Sequence, residues 1–590
     1  MSLVEPAVQP VPVAERRRGG GAALAPWLIL GCYLLGAVAI TWRLWADPGA
    51  RAQAGDAQDV NLFAWFMRYE ATAVAHGRLP ALVTTALNAP RGVSLLWNTS
   101  LLLPGVVLAP VTLLAGPQTT LTLVLTLGFA GSAASLFVVL RRWGASPAAA
   151  GIGGAVYGFS PALLNSGLGH YNLEFAALPP LIADALLRLL TGRASPARAG
   201  AWLGLLAAAQ FFTGEELLTD TVLAGLTLTV ALWISQKNVT FKKVKDAAAG
   251  LGTGAAVALL ICGHALWSQF HGPLTEHYVP RFTAYTSFLA AHPAVFVTPP
   301  GDLLFHTAAS AAAAARYPSG LPEYLAYLGW PLLAALAAAA VCYWRHPPVR
   351  VTALTFVALE VLSLGGSYRY AGPFLPWHWL QGMPVFSQLI PDRLAILADG
   401  AAGALLAFAL DRARAVAARA APGWGGRHLA TAAAVLAVLP LVPVPFRAAA
   451  LPPVPRGWQA AFTRLHLAAG ARVLVLPIPD NRFSQAMRWQ ADTGEPATLI
   501  GGFFMGPDRA GQTRVSPGPA SADALDLDPL WAGRATRDGR SLAQVRADLR
   551  YLRPAAVVEV LRRHTRLGPV LAELFGQPSF RAGRVVVWRT

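Results

Sequence analysis

The apolar positions of this chain gather into long uninterrupted blocks, not into the alternation of a half-buried sheet. Blocks of about 17–25 apolar residues suit helices that cross a bilayer. Such helices are expected near 26–44, 118–141, 147–166, 172–191, 198–213, 217–235, 247–267, 323–344, 349–364, 387–411 and 428–446. The pattern therefore predicts an α-helical polytopic membrane protein with about 11 transmembrane helices. One block is left over, from Leu101 to Ala115. Counting it as a span would turn the basic loops after it to the other side, and Pro104 and Pro110 disfavour a straight helix. It is expected to be re-entrant or in-plane on the outer side.

Beyond the last block the pattern changes. Strands are expected at Arg472–Pro477, Ala555–Val560 and Arg584–Trp588, and helices at Ser541–Tyr551 and Val570–Phe575, with Gly and Pro between them. The expected organisation is a cytoplasmic tail over 1–25 and a transmembrane domain over 26–446, followed by a soluble α/β domain over 447–590. The transmembrane domain carries large outer loops at 43–117 and 268–322.

Composition agrees. Of 590 residues, 55% are hydrophobic and 13% charged, with a mean hydropathy of +0.46; a soluble protein carries about 25% charged residues. The net charge of +17 would suit nucleic acid, but its placement does not. All the lysines, Lys237, Lys242, Lys243 and Lys245, lie in one loop. Arginines fill other short connections: Arg141 and Arg142, Arg193 and Arg198, Arg345 and Arg350, then Arg412, Arg414, Arg419 and Arg427. Cytoplasmic loops collect such residues, facing anionic membrane lipid, so no nucleic-acid partner is expected. Arg16, Arg17 and Arg18 precede the first block, which reads as an uncleaved signal anchor with the N-terminus inside. An odd number of crossings then leaves the C-terminal domain outside. Cys32, Cys262 and Cys342 all fall in apolar blocks, so neither disulfides nor a cysteine zinc site is expected.

Candidate chemistry concentrates on the outer face. The first outer loop opens with Gly55-Asp56-Ala57-Gln58-Asp59. Residues 57–76, with Phe63, Trp65, Phe66 and Tyr69, read as a helix lying at the outer membrane surface and ending at His76-Gly77. Asp56 and Asp59 share one side of its first turn. They suit a helix cap with a dipole partner. They equally suit a general base for an acceptor hydroxyl, the other carboxylate positioning it or holding a metal. On the same face lie Gly158-Phe159-Ser160-Pro161, Gly169-His170-Tyr171-Asn172, and Gln210 through Glu215-Glu216. Ordinary solvated turns are the alternative for His170 and for the glutamates. Asp184, Glu360 and Asp399 lie within apolar blocks, where a charge costs about 2.5–3.5 kcal/mol. Asp184 has Arg188 one turn on as a structural partner. Asp392-Arg393 suits an anionic head group such as phosphate, or a cap with a neighbouring anchor. There is no GxxxxGK[ST] loop, no HExxH and no GxSxG, so a nucleotide-driven machine is not expected. Asn98-Thr99-Ser100 and Asn238-Val239-Thr240 match the glycosylation acceptor pattern.

Several of these segments carry a family resemblance. They are Gly55 to Asp59 with Phe63 and Trp65, Leu87-Asn88-Ala89-Pro90-Arg91-Gly92 and Leu96-Trp97-Asn98-Thr99-Ser100. Tyr157 to Pro161, Gly169-His170 and Gln210 to Glu216 belong with them. Over roughly residues 20–450 the chain resembles the GT-C superfamily of membrane glycosyltransferases, in particular actinobacterial members. The resemblance implies an inverting enzyme of a bacterial plasma membrane. It would move a sugar from a polyprenyl-phosphate carrier to an extracytoplasmic glycan, lipid or protein acceptor. It implies Asp56 and Asp59 as catalytic residues, and Trp65, His76, Asn88, His170, Glu215, Glu216 and Arg393 as substrate-binding residues. Arg393 would steady the departing lipid phosphate. Asp56-Ala57-Gln58-Asp59 is not the family's plain Asp-x-Asp. That leaves open which aspartate is the base and whether a divalent metal, Mg or Mn, takes part; no other cofactor is implied. Two other classes stand beside this one. A transporter or lipid-linked flippase would use Asp399 and Glu360, and a non-enzymatic receptor or assembly protein would work through its C-terminal domain.

Overall fold

The computed structural model describes residues 20–235, 241–276, 289–318, 320–366, 372–383, 385–420, 424–495, 497–508, 511–516, 539–561 and 567–590. Arg16, Arg17, Arg18, Lys237 and the Asn238-Val239-Thr240 pattern lie outside the described residues.

Each of the predicted apolar blocks is helical. Among the described residues, five helices are long and apolar enough to cross a membrane: Leu24–Trp45, Pro117–Arg142, Glu215–Ser235, Lys242–His271 and Pro391–Arg419. Trp330–Tyr343 and Gly425–Leu441 are shorter apolar helices. The 147–166 block is broken into Pro147–Gly158 and Pro161–Ser166. Pro161 cannot continue the first helix, and Ser160 Oγ caps the second by accepting from Leu163 N at 3.3 Å. The next block is divided in the same way, into Tyr171–Glu174 and Leu178–Thr191. Helices Pro196–Phe211 and Pro347–Ser363 complete the bundle. The left-over block forms two short helices, Leu102–Val107 and Ala109–Ala115. At about 1.5 Å per residue neither reaches across a bilayer. Small residues bring helices together: a Cβ on Gly153 would stand 2.5 Å from the Gly403 carbonyl oxygen, and one on Gly200 2.1 Å from that of Gly250.

The C-terminal region carries a five-stranded sheet: β1 (Arg472–Leu476), β2 (Thr498–Leu499), β3 (Ala556–Val560), β4 (Phe580–Ala582) and β5 (Val585–Arg589), in the order β4-β5-β3-β1-β2. β1 runs parallel to both β2 and β3, and β5 runs antiparallel to β3 and β4. β3 is buried at every position, as befits a strand covered on both faces.

This region is tied closely to the first outer loop. Arg51–Gln53 pairs antiparallel with Ala448–Ala450. Asn98 acts as a surrogate strand edge. Its Nδ2 donates to the Met505 carbonyl at 2.8 Å and its Oδ1 accepts from Met505 N at 2.6 Å. That use of the side chain is incompatible with glycosylation at the Asn98 pattern. The Gln485–Thr493 helix packs on the Ala57–Ala75 helix, joined by Asn61 Nδ2 to Ser484 Oγ at 2.9 Å. The Ala57–Ala75 helix is therefore not a surface helix. Phe63, Trp65 and Phe66 are all buried: the C-terminal region covers Trp65 and Tyr171 packs edge-on against Phe63.

Candidate active site

Asp56 stands at the cap position of the Ala57–Ala75 helix, at φ −77° and ψ 87°, but its side chain makes no cap hydrogen bond. The carboxylate accepts instead from Gln58 Nε2 at 3.4 Å. The backbone is held from outside the helix: Asp56 N donates to the Leu168 carbonyl at 3.0 Å. A Cβ on Gly55 would stand 2.1 Å from that same oxygen, and one on Gly169 would stand 3.0 Å from Asp56 Cβ. With no side chain at either position, the two loops touch backbone to backbone. That contact brings Asp56, Asp59 and His170 together, with one ligand-capable atom of each within 4.8 Å of the others.

Behind His170 lies an ion-pair chain. Glu323 Oε1 is 3.9 Å from His170 Nε2. Arg393 Nε donates to Glu323 Oε2 at 3.2 Å, and its two terminal nitrogens donate to Glu323 and to Glu216. Tyr317 donates its hydroxyl to Asp392 Oδ2 at 2.9 Å, which holds the turn that presents Arg393. The chain thus runs from the first outer loop through His170 to the head of the Glu215–Ser235 helix.

Burial sets the protonation of the cluster. It raises the Asp56 carboxyl above its usual range, helped by the charge of Glu323 and opposed by Gln58. It raises Asp59 well above that range, with Asp56 adding to the effect and Arg393 opposing it. It pushes the His170 imidazole down to about 4, against the pull of Glu323. Burial would raise Glu323 too, but the ion pair with Arg393 outweighs it and holds the group below the usual value. His170 is therefore a neutral imidazole near pH 7, and its buried Nδ1 has no hydrogen-bond partner among the described residues. Two carboxylates beside an unsatisfied neutral imidazole fit a divalent cation such as Mg or Mn, which favour oxygen donors and accept a nitrogen.

Other residues expected here lie elsewhere. Trp65 is 4% exposed, donates Nε1 to Gln490 Oε1 at 2.8 Å and stacks on Tyr69, so it ties the helix to the C-terminal region. His76 sits exposed at the far end of the helix, roughly 25 Å from Asp59 at 1.5 Å per residue. Asn88 is buried in a turn at φ 56°, its Nδ2 donating to the Gly92 carbonyl at 3.0 Å. Arg393 faces carboxylates instead of an open phosphate site. Glu215 is half-buried, with Oε2 unpartnered, and does not join the Asp56 cluster. Two residues not expected here are Glu323 and Asp220. Asp220 lies one helical turn from Glu216, fully buried, with both oxygens unpartnered. Asp184 is structural, accepting from Arg142, Trp143 and Arg188.

No family model matches the chain, and no curated protein matches it. Among solved structures, arabinofuranosyltransferase AftD from Mycobacteria superposes with a TM-score of 0.51 at 17% identity, over 96% of this chain and 39% of its own. A mutant form of the same enzyme gives a TM-score of 0.52 at 17% identity, over 96% and 41%. This chain has the GT-C fold. The archaeal oligosaccharyltransferase AglB from Archaeoglobus fulgidus, solved with an inhibitory peptide and a dolichol-phosphate, gives 0.46 at 10% identity over 92% and 70%. The GT-C chain described here spans about two fifths of the length of AftD. Its GT-C bundle and apolar helices make it a multi-pass membrane protein with a strand-containing C-terminal region.

Proposed function

We propose that this protein is a glycosyltransferase that moves a sugar from a polyprenyl-phosphate carrier to a glycan, lipid or protein acceptor at the extracytoplasmic face of a bacterial plasma membrane. The observation that carries the reading is the convergence of Asp56, Asp59 and His170 where the first outer loop meets the Leu168–His170 turn. The fold shared with AftD supports it, as does the lack of nucleotide-binding motifs, because a lipid-linked donor needs none.

In this reading the acceptor hydroxyl gives its proton to Asp56 or Asp59 while its oxygen bonds to the anomeric carbon. The bond from that carbon to the lipid phosphate breaks on the opposite side, which inverts the configuration. Carboxyls raised above their usual range are stronger bases than solvated ones, closer to the value that suits proton transfer near pH 7. Neutral His170 keeps a ring-nitrogen lone pair available as a ligand. A divalent cation, Mg or Mn, would be held by His170 and by whichever aspartate is not the base, and would supply positive charge for the departing phosphate. Arg393, fixed by Glu216 and Glu323, orients the wall behind His170 and does not meet the phosphate itself.

The test is transfer from a polyprenyl-phosphate sugar in proteoliposomes. Asp56→Asn and Asp59→Asn keep side-chain size, and loss of the base should slow transfer by ~10²–10⁴-fold. Parental rates in both variants would reject the assignment. Reporter fusions after Arg447 and Thr590 test the orientation, and a cytoplasmic signal from either would reverse it.

A further inference from the structure

Residues 372–391 carry no Asp, Glu, Lys or Arg, although they connect two bundle helices. The described part holds a short helix, Pro376–Leu380, too short at about 1.5 Å per residue to cross anything. Its large apolar side chains divide sharply. Trp377 is 1% exposed and packs edge-on against Phe386, whereas Phe374 is 90%, Trp379 71% and Met383 50% exposed. An aqueous surface disfavours such a contiguous patch. Trp379 already satisfies its polar edge, donating Nε1 to the Pro373 carbonyl at 3.1 Å, so burying the ring in hydrocarbon leaves no unpaired donor.

The segment is braced to the bundle and to the charged chain. Pro376–Leu380 packs on the outer end of Pro347–Ser363, where a Cβ on Gly366 would stand 2.5 Å from Gln381 Oε1. Val357, on that same helix, is an apolar side chain left 55% exposed as well. Leu389 and Ile390 then bury the chain and lead directly into Asp392 and Arg393.

We propose that residues 372–383 and 385–390 form an aromatic wedge seated among the acyl chains of the outer leaflet, with Phe374, Trp379 and Met383 as its lipid contacts. It anchors the turn that carries Asp392 and Arg393 at a fixed depth. The proposal rests on the extracytoplasmic reading above for its side of the membrane, but its test needs no enzymatic activity.

Phe374→Cys and Met383→Cys, placed singly in a background with the three native cysteines changed to Ser, are spin-labelled and reconstituted in phosphatidylcholine vesicles. Arg553→Cys, on the C-terminal region, is the wet control. Both wedge labels should collide more often with oxygen, which partitions into the bilayer, than with a water-soluble nickel chelate. The Arg553 label should show the reverse. Labels at 374 and 383 that behave like the control would overturn the proposal. Labels shielded from both reagents would overturn it as well, because the patch would then be covered by protein. If the wedge labels are lipid-exposed but the Asp56 and Asp59 variants transfer sugar normally, the wedge stands and the glycosyltransferase reading falls.

Discussion

Glu323 stands 3.9 Å from His170 and also takes two of the donors of Arg393. The arginine is thus a strut between Glu216 and Glu323, and removing it leaves two buried carboxylates without a counter-charge. Breaking such a buried pair costs about 3–5 kcal/mol. Arg393→Gln is expected to lose that much thermal stability, and Glu323→Gln somewhat less, because an amide still accepts one hydrogen bond. Denaturation in detergent checks both. An Arg393→Gln variant of parental stability, with only its donor KM raised, would restore Arg393 to a phosphate-binding role.

The Gly55 and Gly169 contacts differ in kind. At Gly55 a methyl group meets the backbone oxygen of Leu168, at 2.1 Å, and neither side can yield without moving a loop. At Gly169 it meets Asp56 Cβ at 3.0 Å, where a shift of a few tenths of an ångström suffices. A displacement of about 1 Å at a reacting group costs about 10²-fold in rate. Gly55→Ala should therefore slow transfer at least that much, and Gly169→Ala only about tenfold. Equal effects would show that the loop contact does not set the geometry of the aspartates.

These relationships mark where the sequence could be read and where it could not. The Asp56 and Asp59 spacing, the Ala57–Ala75 helix and all five C-terminal elements follow from local pattern, and the structure has them within two residues. His170 does lie with Asp56 and Asp59, as its expected placement on their face suggested. Glu323 was missed for a physical reason. It lies 70 positions from Arg393 and inside a block whose apolar character reads as the start of a span, whereas the helix begins only at Trp330. The aromatic face of the Ala57–Ala75 helix was misread as lipid-facing because an apolar stripe says only that it is covered. For Trp65 the cover turned out to be the Gln485–Thr493 helix, more than 400 positions away, and for Phe63 it is Tyr171.

Many polar contacts join the first loop to the C-terminal region, and Asn98 makes two of them. Its amide donates to Ser94 and Met505 and its carbonyl accepts from Met505. Asn98→Asp keeps the acceptor but turns both donors into repelling oxygens. The expected loss is roughly 1–3 kcal/mol. Faster proteolysis at the antiparallel pair Met505–Pro507 and Thr513–Val515, the 505–515 hairpin, would accompany it. A variant with parental proteolysis would mean that the other contacts, among them the strand pairing at Arg51–Gln53 and the backbone bonds of Asn88 and Ala89 to Gly501 and Leu499, hold the region in place.

The hairpin also faces Glu276, just past the end of the Lys242–His271 helix, and this contact should respond to pH. Burial lifts the Glu276 carboxyl from 4.5 to about 7, with the Thr513 hydroxyl pulling the other way. Because the folded value lies above the unfolded one, the folded state holds the proton more tightly. Its contribution to stability is full below pH 4.5 and is lost as pH rises toward 7, after which it no longer changes. Such a gap corresponds to on the order of 2–3 kcal/mol. Glu276→Gln keeps the shape of the protonated acid and cannot ionise. The variant should match the parent at pH 4.5 and exceed it in thermal stability above pH 7, with a flatter profile between. The comparison is made on the full chain in detergent, with proteolysis of the 505–515 hairpin followed in parallel. Parallel stability profiles for parent and variant would show that Glu276 ionises freely, and that the contact between the second outer loop and the hairpin does not desolvate it.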